Sequence, residues 1–246
     1  MTAALVYESV TKYYDDKLAV DDLTLDVEPG NVFCFLGPNG AGKTTAIHML
    51  MGLKHPSSGD IKINGVSVAS RHIGAERKRI GYLAEDPKLY DFLTGAEFVD
   101  LIAKLYGRDS RSSRGAEYLQ RFGLGKDADR VIRGYSLGMK KKTALAAALS
   151  FDPDILVLDE PTGGLDVYGA REVKAVIREA VDADKTVFFT THILELAERL
   201  ADRIAIIADG RLVASGSLEQ LRAAHGSPDA SLEDIFVGVA GPRIEA

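Results

Sequence analysis

The stretch from Val32 to Leu53, VFCFLGPNGAGKTTAIHMLMGL, decides how the whole chain reads. It opens on five apolar residues, Val32 to Leu36, too dense for a half-buried strand and suited to one covered on both faces. Gly37-Pro38-Asn39-Gly40-Ala41-Gly42-Lys43-Thr44 follows and matches G-x-x-x-x-G-K-[ST] in full. From Lys43 to Leu53 the residues suit a helix. Strand, glycine-rich loop and helix in that order bring backbone N–H groups together without obstructing side chains, at the positive end of a helix dipole. That arrangement cradles phosphate. Lys43 offers a point charge to the outer phosphates and Thr44 a hard oxygen for magnesium; Thr45 is counted with them.

Working outward, a second element supports the first. Ile155-Leu156-Val157-Leu158-Asp159-Glu160 is an apolar strand ending in two carboxylates, at the sheet edge where such folds bind ligands. Adjacent acids at that edge are costly unless used. Asp159 is expected to hold Mg2+, and Glu160, pointing elsewhere, to orient or deprotonate the water that attacks the terminal phosphate in line. These residues together describe a P-loop nucleotide hydrolase.

The surrounding pattern places the pair in an α/β chain. Leu23, Leu25 and Val27 alternate, and Ile61, Ile63, Asn64-Gly65, Val66 and Val68 read as a hairpin, so an early antiparallel sheet is expected. From about Glu85 to Ser150 helical patterns take over, with Thr94 and Glu97 spaced as a capping box. Strand-like runs return at Ile155 to Leu158, Thr186 to Phe189 and Ile204 to Ala208, separated by helices, which implies a mainly parallel sheet. Asp209-Gly210 then turns a hairpin, and Leu232, Ile235 and Phe236 form a short amphipathic piece. The expected organisation is one domain over 1–225, with 1–84 and 151–225 as P-loop core and antiparallel β subdomain, 85–150 as a helical insertion, and 226–246 as a tail.

Composition narrows the class. The 246 residues carry 30 Lys and Arg against 36 Asp and Glu, a net charge of -6, which disfavours a chain-wide surface for polyanions. Nucleic acid is not an expected partner. One cysteine makes no internal disulfide, and Met1 to Val10 lacks the features of a secretion signal, so a cytosolic setting is expected. The longest apolar stretches fall far short of the roughly 20 residues that cross a bilayer. Any membrane role must run through a partner.

Beyond the P-loop core, the order of motifs resembles the ATP-binding cassette (ABC) ATPases over nearly the whole chain. Gly134-Tyr135-Ser136-Leu137-Gly138-Met139 stands where the family carries its signature, which binds the ATP held by the opposite subunit. Ser136 and Gly138 are the residues carried over; alone, Ser136 reads equally as an ordinary helix cap. Pro161-Thr162-Gly163-Gly164-Leu165-Asp166 resembles the D-loop that links the two sites, which brings in Asp166. Thr190-Thr191-His192 ends where the family places its switch histidine, a donor to the terminal phosphate. Tyr14 sits where an aromatic ring stacks on adenine, with Tyr13 the second choice.

Three departures stand out. The family's Q-loop glutamine falls at Glu85, an acid that still ligands magnesium yet adds charge needing Lys88 or the metal to balance it. Leu137 and Met139 replace the usual signature glycine and glutamine. Both changes resemble the branch whose ATPases serve separate membrane subunits exporting drugs, polysaccharides or other hydrophobic compounds. Lys140, Lys141 and Lys142 then oppose the dipole of the helix they open, relieved either by a partner's nucleotide or by solvent. The resemblance implies an ATP- and Mg2+-dependent ATPase at the cytoplasmic face of the cell membrane, paired with a second cassette and a multi-span permease. Two other readings stay open at this level: a soluble ABC protein acting in translation or on nucleic acid, and a low-turnover nucleotide-binding regulator. The segment Glu85 to Phe92 is the expected contact for the membrane subunit.

Overall fold

A computed structural model describes residues 2–109 and 113–241. Strands β1 (Leu5–Tyr14), β2 (Lys17–Val27) and β3 (Val32–Leu36) precede helix α1 (Lys43–Leu50), the hairpin β4 (Ser58–Ile63) and β5 (Val66–Ser67), α2 (Gly74–Arg77) and β6 (Ile80–Leu83). Helices α3 (Gly95–Leu105), α4 (Gly115–Arg121) and α5 (Leu137–Leu149) follow. Then come β7 (Ile155–Asp159), α6 (Val167–Asp182), β8 (Thr186–Thr191), α7 (Leu194–Leu200), β9 (Arg203–Ala208), β10 (Arg211–Gly216), α8 (Leu218–His225) and α9 (Leu232–Ala240).

The expected α/β class is what forms. One sheet runs β10-β9-β3-β8-β7-β6, parallel throughout except where β10 returns antiparallel to β9. A second, antiparallel sheet runs β2-β1-β4-β5. The two hairpin turns read from the sequence, Asn64-Gly65 and Asp209-Gly210, each use two residues at positive φ, the geometry that matches strand twist.

Strand β3 explains its own unbroken apolar run. Val32, Cys34 and Leu36 face a core shared with α3 to α7, whereas Phe33 and Phe35 face a second core filled by the antiparallel sheet and α1. Phe188 of β8 packs against both rings from the neighbouring strand. With both faces covered, alternation would leave a polar side chain without water, so none occurs. Helix α1 stops at Leu50, short of Leu53, because Gly52 takes φ 72. Its N–H and that of Leu53 fold back onto the Met49 and His48 carbonyls, which closes the helix end.

The capping box forms as read. Thr94 accepts from the Glu97 N–H, and the Glu97 carboxylate accepts from the Thr94 N–H. Thr94→Ala is expected to lower unfolding free energy by about 1 kcal/mol, a fall of roughly 2–4 °C in Tm for a chain of this size, read by thermal denaturation. Past Gly226, α9 seats Leu232 and Ile235 in the core beneath β9 and β10. Among the described residues no helix is long and apolar enough to cross a membrane.

Candidate nucleotide site

Strand β3 ends at the loop from Gly37 to Gly42, which is pressed against neighbouring backbone. A Cβ on Gly37 would lie 2.5 Å from the Ile207 carbonyl oxygen, and one on Gly42, at φ 105, would lie 2.5 Å from that of Ala19. Only glycine fits either position. Gly42 also caps α1 without a side chain, so the first N–H groups of the helix face outward for a ligand. Above them opens a cleft of ≈ 650 Å³, within the range of small-molecule sites. Asn39, Gly40, Gly42, Lys43, Thr44 and Thr45 form its floor, and Tyr14, Glu85 and Glu160 reach it from other elements. Tyr14 lines the cleft and Tyr13 does not. Lys12 lies 5.2 Å from the Tyr14 ring centroid, holding that ring by a cation–π contact.

The two carboxylates at the end of β7 diverge as expected. Asp159, 1 % exposed, accepts through Oδ1 from the Thr190 hydroxyl, while its buried Oδ2 has no hydrogen-bond partner. An acid so buried is poised for a further ligand. Burial, and then the Asp159 charge, push the Tyr82 hydroxyl well up from the usual tyrosine range. Glu160 turns away at φ 44, a left-handed backbone that is strained for a residue with a side chain. Its carboxylate accepts from His192 Nδ1 at 2.9 Å and from the Thr191 hydroxyl at 3.3 Å, and Lys43 Nζ stands 3.5 Å away. A carboxylate only accepts, so Nδ1 carries the proton of that bond. Lys43, 6 % exposed, also donates to the Gly37 and Pro38 carbonyls at 2.7 and 3.1 Å. Beneath them, burial and then the Glu160 charge push the Cys34 thiol up, consistent with an inert core residue.

Ser136, Gly138 and Asp166 lie outside this cleft. Ser136 caps α5 by accepting from the Met139 N–H, and Asp166 caps α6 by accepting from the Gly169 N–H at 2.6 Å. That bond, then the Lys142 ammonium, hold the Asp166 carboxyl below the ordinary aspartate value. The stability it contributes is therefore complete above that ordinary value and is lost as pH falls through the lowered one.

Two sequence expectations need correction. The lysines after the signature are not a solvated face, because each meets a partner within the chain. Lys140 pairs with Asp91, Lys142 pairs with Asp166, and Lys141 is buried against backbone carbonyls. Burial lowers the Lys141 ammonium from the usual lysine range, opposed by the charges of Glu85, Glu160, Asp159 and Asp86. Lys88 pairs with Asp86, and Glu85 is among the charges that act on Lys141. A solvated-face reading fails because α5 turns its second lysine inward.

Lys17, Leu18 and Ala19, to which the sequence drew no attention, line the cleft with the Asp209-Gly210 turn, and Thr190 and Thr191 brace the two acids. The threonines left a signal: hydroxyls at the end of the otherwise apolar strand TVFFTT, in register beside Asp159. Among the described residues no group of three His, Cys, Asp or Glu could hold a metal alone. Thr44 on the cleft floor and the orphaned Asp159 oxygen are hard donors of the kind magnesium takes alongside phosphate and water.

Known proteins resemble this chain in sequence and in fold. A family model described as ABC transporter matches residues 20–163. The daunorubicin resistance ATP-binding protein DrrA3 of Streptomyces coeruleorubidus is 40% identical over 225 residues, covering 91% of this chain and 71% of its own. The Nod factor export ATP-binding protein I of Burkholderia pseudomallei is 40% identical over 221 residues, 89% of this chain and 72% of its own. Among solved structures, an ATP-binding subunit of an ABC transporter superposes with a TM-score of 0.89 at 30% identity, covering 97% of this chain and 100% of that one. A dimeric bacterial ABC transporter cassette, MJ0796, gives 0.80 at 26% identity, over 87% of this chain and 98% of that one.

Proposed function

The chain belongs to the ABC transporter family of ATP-binding cassettes, and on that premise we propose that two such cassettes close head to tail on two ATP molecules to power export through a separate permease. It is an ATP-binding, ATP-hydrolysing transporter subunit. One observation carries the paired arrangement: Ser136 and Gly138 flank a 58 % exposed Leu137 at the start of α5, away from the chain's own cleft. A second copy supplying them covers the side of the nucleotide that a single cleft leaves to solvent.

Within one subunit the Gly37–Gly42 loop and Lys43 hold the phosphates, and Tyr14 stacks on the base. Thr44, Asp159 and Glu85 are the residues to hold Mg2+, which when bound neutralises phosphate oxygens. Glu160 receives the proton of the attacking water as its oxygen bonds to the terminal phosphorus and the bond to ADP breaks. His192 steadies that carboxylate through Nδ1, and in this reading it is the donor to the terminal phosphate. Asp166 caps α6, and in this reading it is the link to the second cassette.

The permease contact is assigned to the segment from Glu85 to Phe92. Tyr90 and Phe92 are 53 % and 75 % exposed and stack at 5.8 Å. Tyr90 in turn meets Phe98 edge-on at 6.1 Å, and Phe98, with Leu89, Ile102, Tyr106 and Phe151, forms the apolar wall of a groove of ≈ 570 Å³. An open apolar groove between subdomains suits a short helix of another chain. Export, as against import, is supported by the names of the relatives at 40% identity. This reading places the chain on the cytoplasmic face of the cell membrane as a peripheral subunit.

The test is affinity purification of tagged Glu160→Gln protein, with ATP, from detergent-solubilised native cells. A multi-span membrane protein is expected in comparable amount, crosslinking to a cysteine introduced at Phe92; the native Cys34 is buried and does not compete. Ribosomal proteins or nucleic acid in its place would move the ATPase to a soluble role.

A further inference from the structure

The buried Lys141 has no part in the scheme above. It lies early in α5, 3 % exposed, and its Nζ donates to the carbonyl oxygens of Glu160 at 2.5 Å and Gly163 at 3.0 Å. Burying an ammonium is costly unless its protons are used, and a methionine would fill the same space at no such cost. The acceptors show what the charge is used for. Both sit in the turn that leaves β7, and that turn is closed by the Gly163 N–H bonded to the Glu160 carbonyl at 3.1 Å. The Glu160 backbone there is left-handed, at φ 44, so the residue carrying the carboxylate needs an outside hold to stay in place.

The same helix grips this segment at two further points. Lys142 pairs with the Asp166 carboxylate at its far end, and the Gly138 α-carbon is packed so that a Cβ would stand 3.3 Å from the Gly164 carbonyl oxygen. Helix α5 and residues 160–166 therefore form one mechanical unit.

We propose that Lys141 is a positioning residue for hydrolysis: by holding the Glu160 and Gly163 carbonyls it fixes the Glu160 carboxylate opposite Lys43 and His192, and it ties that carboxylate to α5. Movement of the Ser136 end of α5, which faces the second cassette, is thereby passed to the chain's own Glu160. The inference rests on Glu160 acting on the attacking water, as proposed above. Lys141 does not line the cleft, so ATP affinity and hydrolysis separate on its removal.

The test compares Lys141→Met, which keeps the stem and loses the donors, with Lys141→Gln, which keeps a shorter N–H donor. Steady-state ATPase with magnesium, equilibrium binding of ATP and thermal melting are measured on each, with Glu160→Gln in parallel. Lys141→Met is expected to lower kcat by about 10- to 100-fold, the scale of lost charge-assisted hydrogen bonds, with KM and ATP affinity near those of the parent. Lys141→Gln is expected to recover part of kcat. A folded Lys141→Met protein with parental kcat overturns the proposal. So does a loss of kcat matched by an equal loss of ATP affinity, since general disorder moves both, and so does a Gln variant no better than Met. Should the Met variant fail to fold, the Gln variant decides alone: parental kcat in it overturns the proposal, and reduced kcat at unchanged KM supports it. Turnover retained by Glu160→Gln overturns the reading of Glu160 itself, a result distinct from any of these.

Discussion

Glu160→Gln protein is expected to bind ATP at least as tightly as the parent and to hydrolyse it about 10²- to 10⁴-fold more slowly, the span that general-base catalysis provides. The substitution keeps the shape of the side chain and removes its capacity to take a proton. In the structure that capacity is concentrated on one group: the carboxylate is 5 % exposed, between the Lys43 ammonium at 3.5 Å and His192 Nδ1 at 2.9 Å. Asp159 cannot replace it, because one of its oxygens is taken by Thr190 and it is directed elsewhere from the end of the strand. Tight binding should survive because the phosphate loop is untouched. The substitution also removes the negative charge 3.5 Å from the Lys43 ammonium that competes with phosphate for it. Phosphate release with magnesium and ATP, together with equilibrium binding, measures both halves; undiminished release would refute the role of Glu160.

Lys43→Ala should do the opposite and remove binding. The loss is expected at about 2–5 kcal/mol, as for truncating one member of a buried hydrogen-bonded charge pair, which is on the order of 30- to 3,000-fold in Kd. The cleft loses the cation directed at the outer phosphates, while Glu160 keeps its donors His192 and Thr191 and its place at the cleft. Titration calorimetry with ATP tests the outcome. Unchanged affinity would mean that the Lys43 ammonium stays on the Gly37 and Pro38 carbonyls and never turns to phosphate.

Much of the site was legible along the chain because its parts are local. Gly37 to Thr44 needs a tight loop, a close backbone approach and a helix start, and each demand falls on a particular residue in unbroken order. The Thr94 capping box and the Asn64-Gly65 and Asp209-Gly210 turns are equally short-range. The signature lysines were not legible. A run of three cations gives no sign of which one turns inward, and Lys141 finds its acceptors 19 and 22 residues further on. Glu85 shows the same failure, since its nearest lysine along the chain, Lys88, is engaged by Asp86.

The sequence by itself therefore determined the strand-loop-helix unit, the paired acids at the end of β7 and the α/β class. These follow from hydrogen-bonding needs and steric limits satisfied within a few residues. Only the tertiary structure decided that Tyr14 and not Tyr13 faces the cleft, that Thr190 and Thr191 brace the acids, and that Lys141 holds the turn beneath Glu160. Those choices depend on which side of an element is pressed against a distant neighbour. That is set by the burial of both cores at once and by the cost of leaving any polar group inside them without a partner.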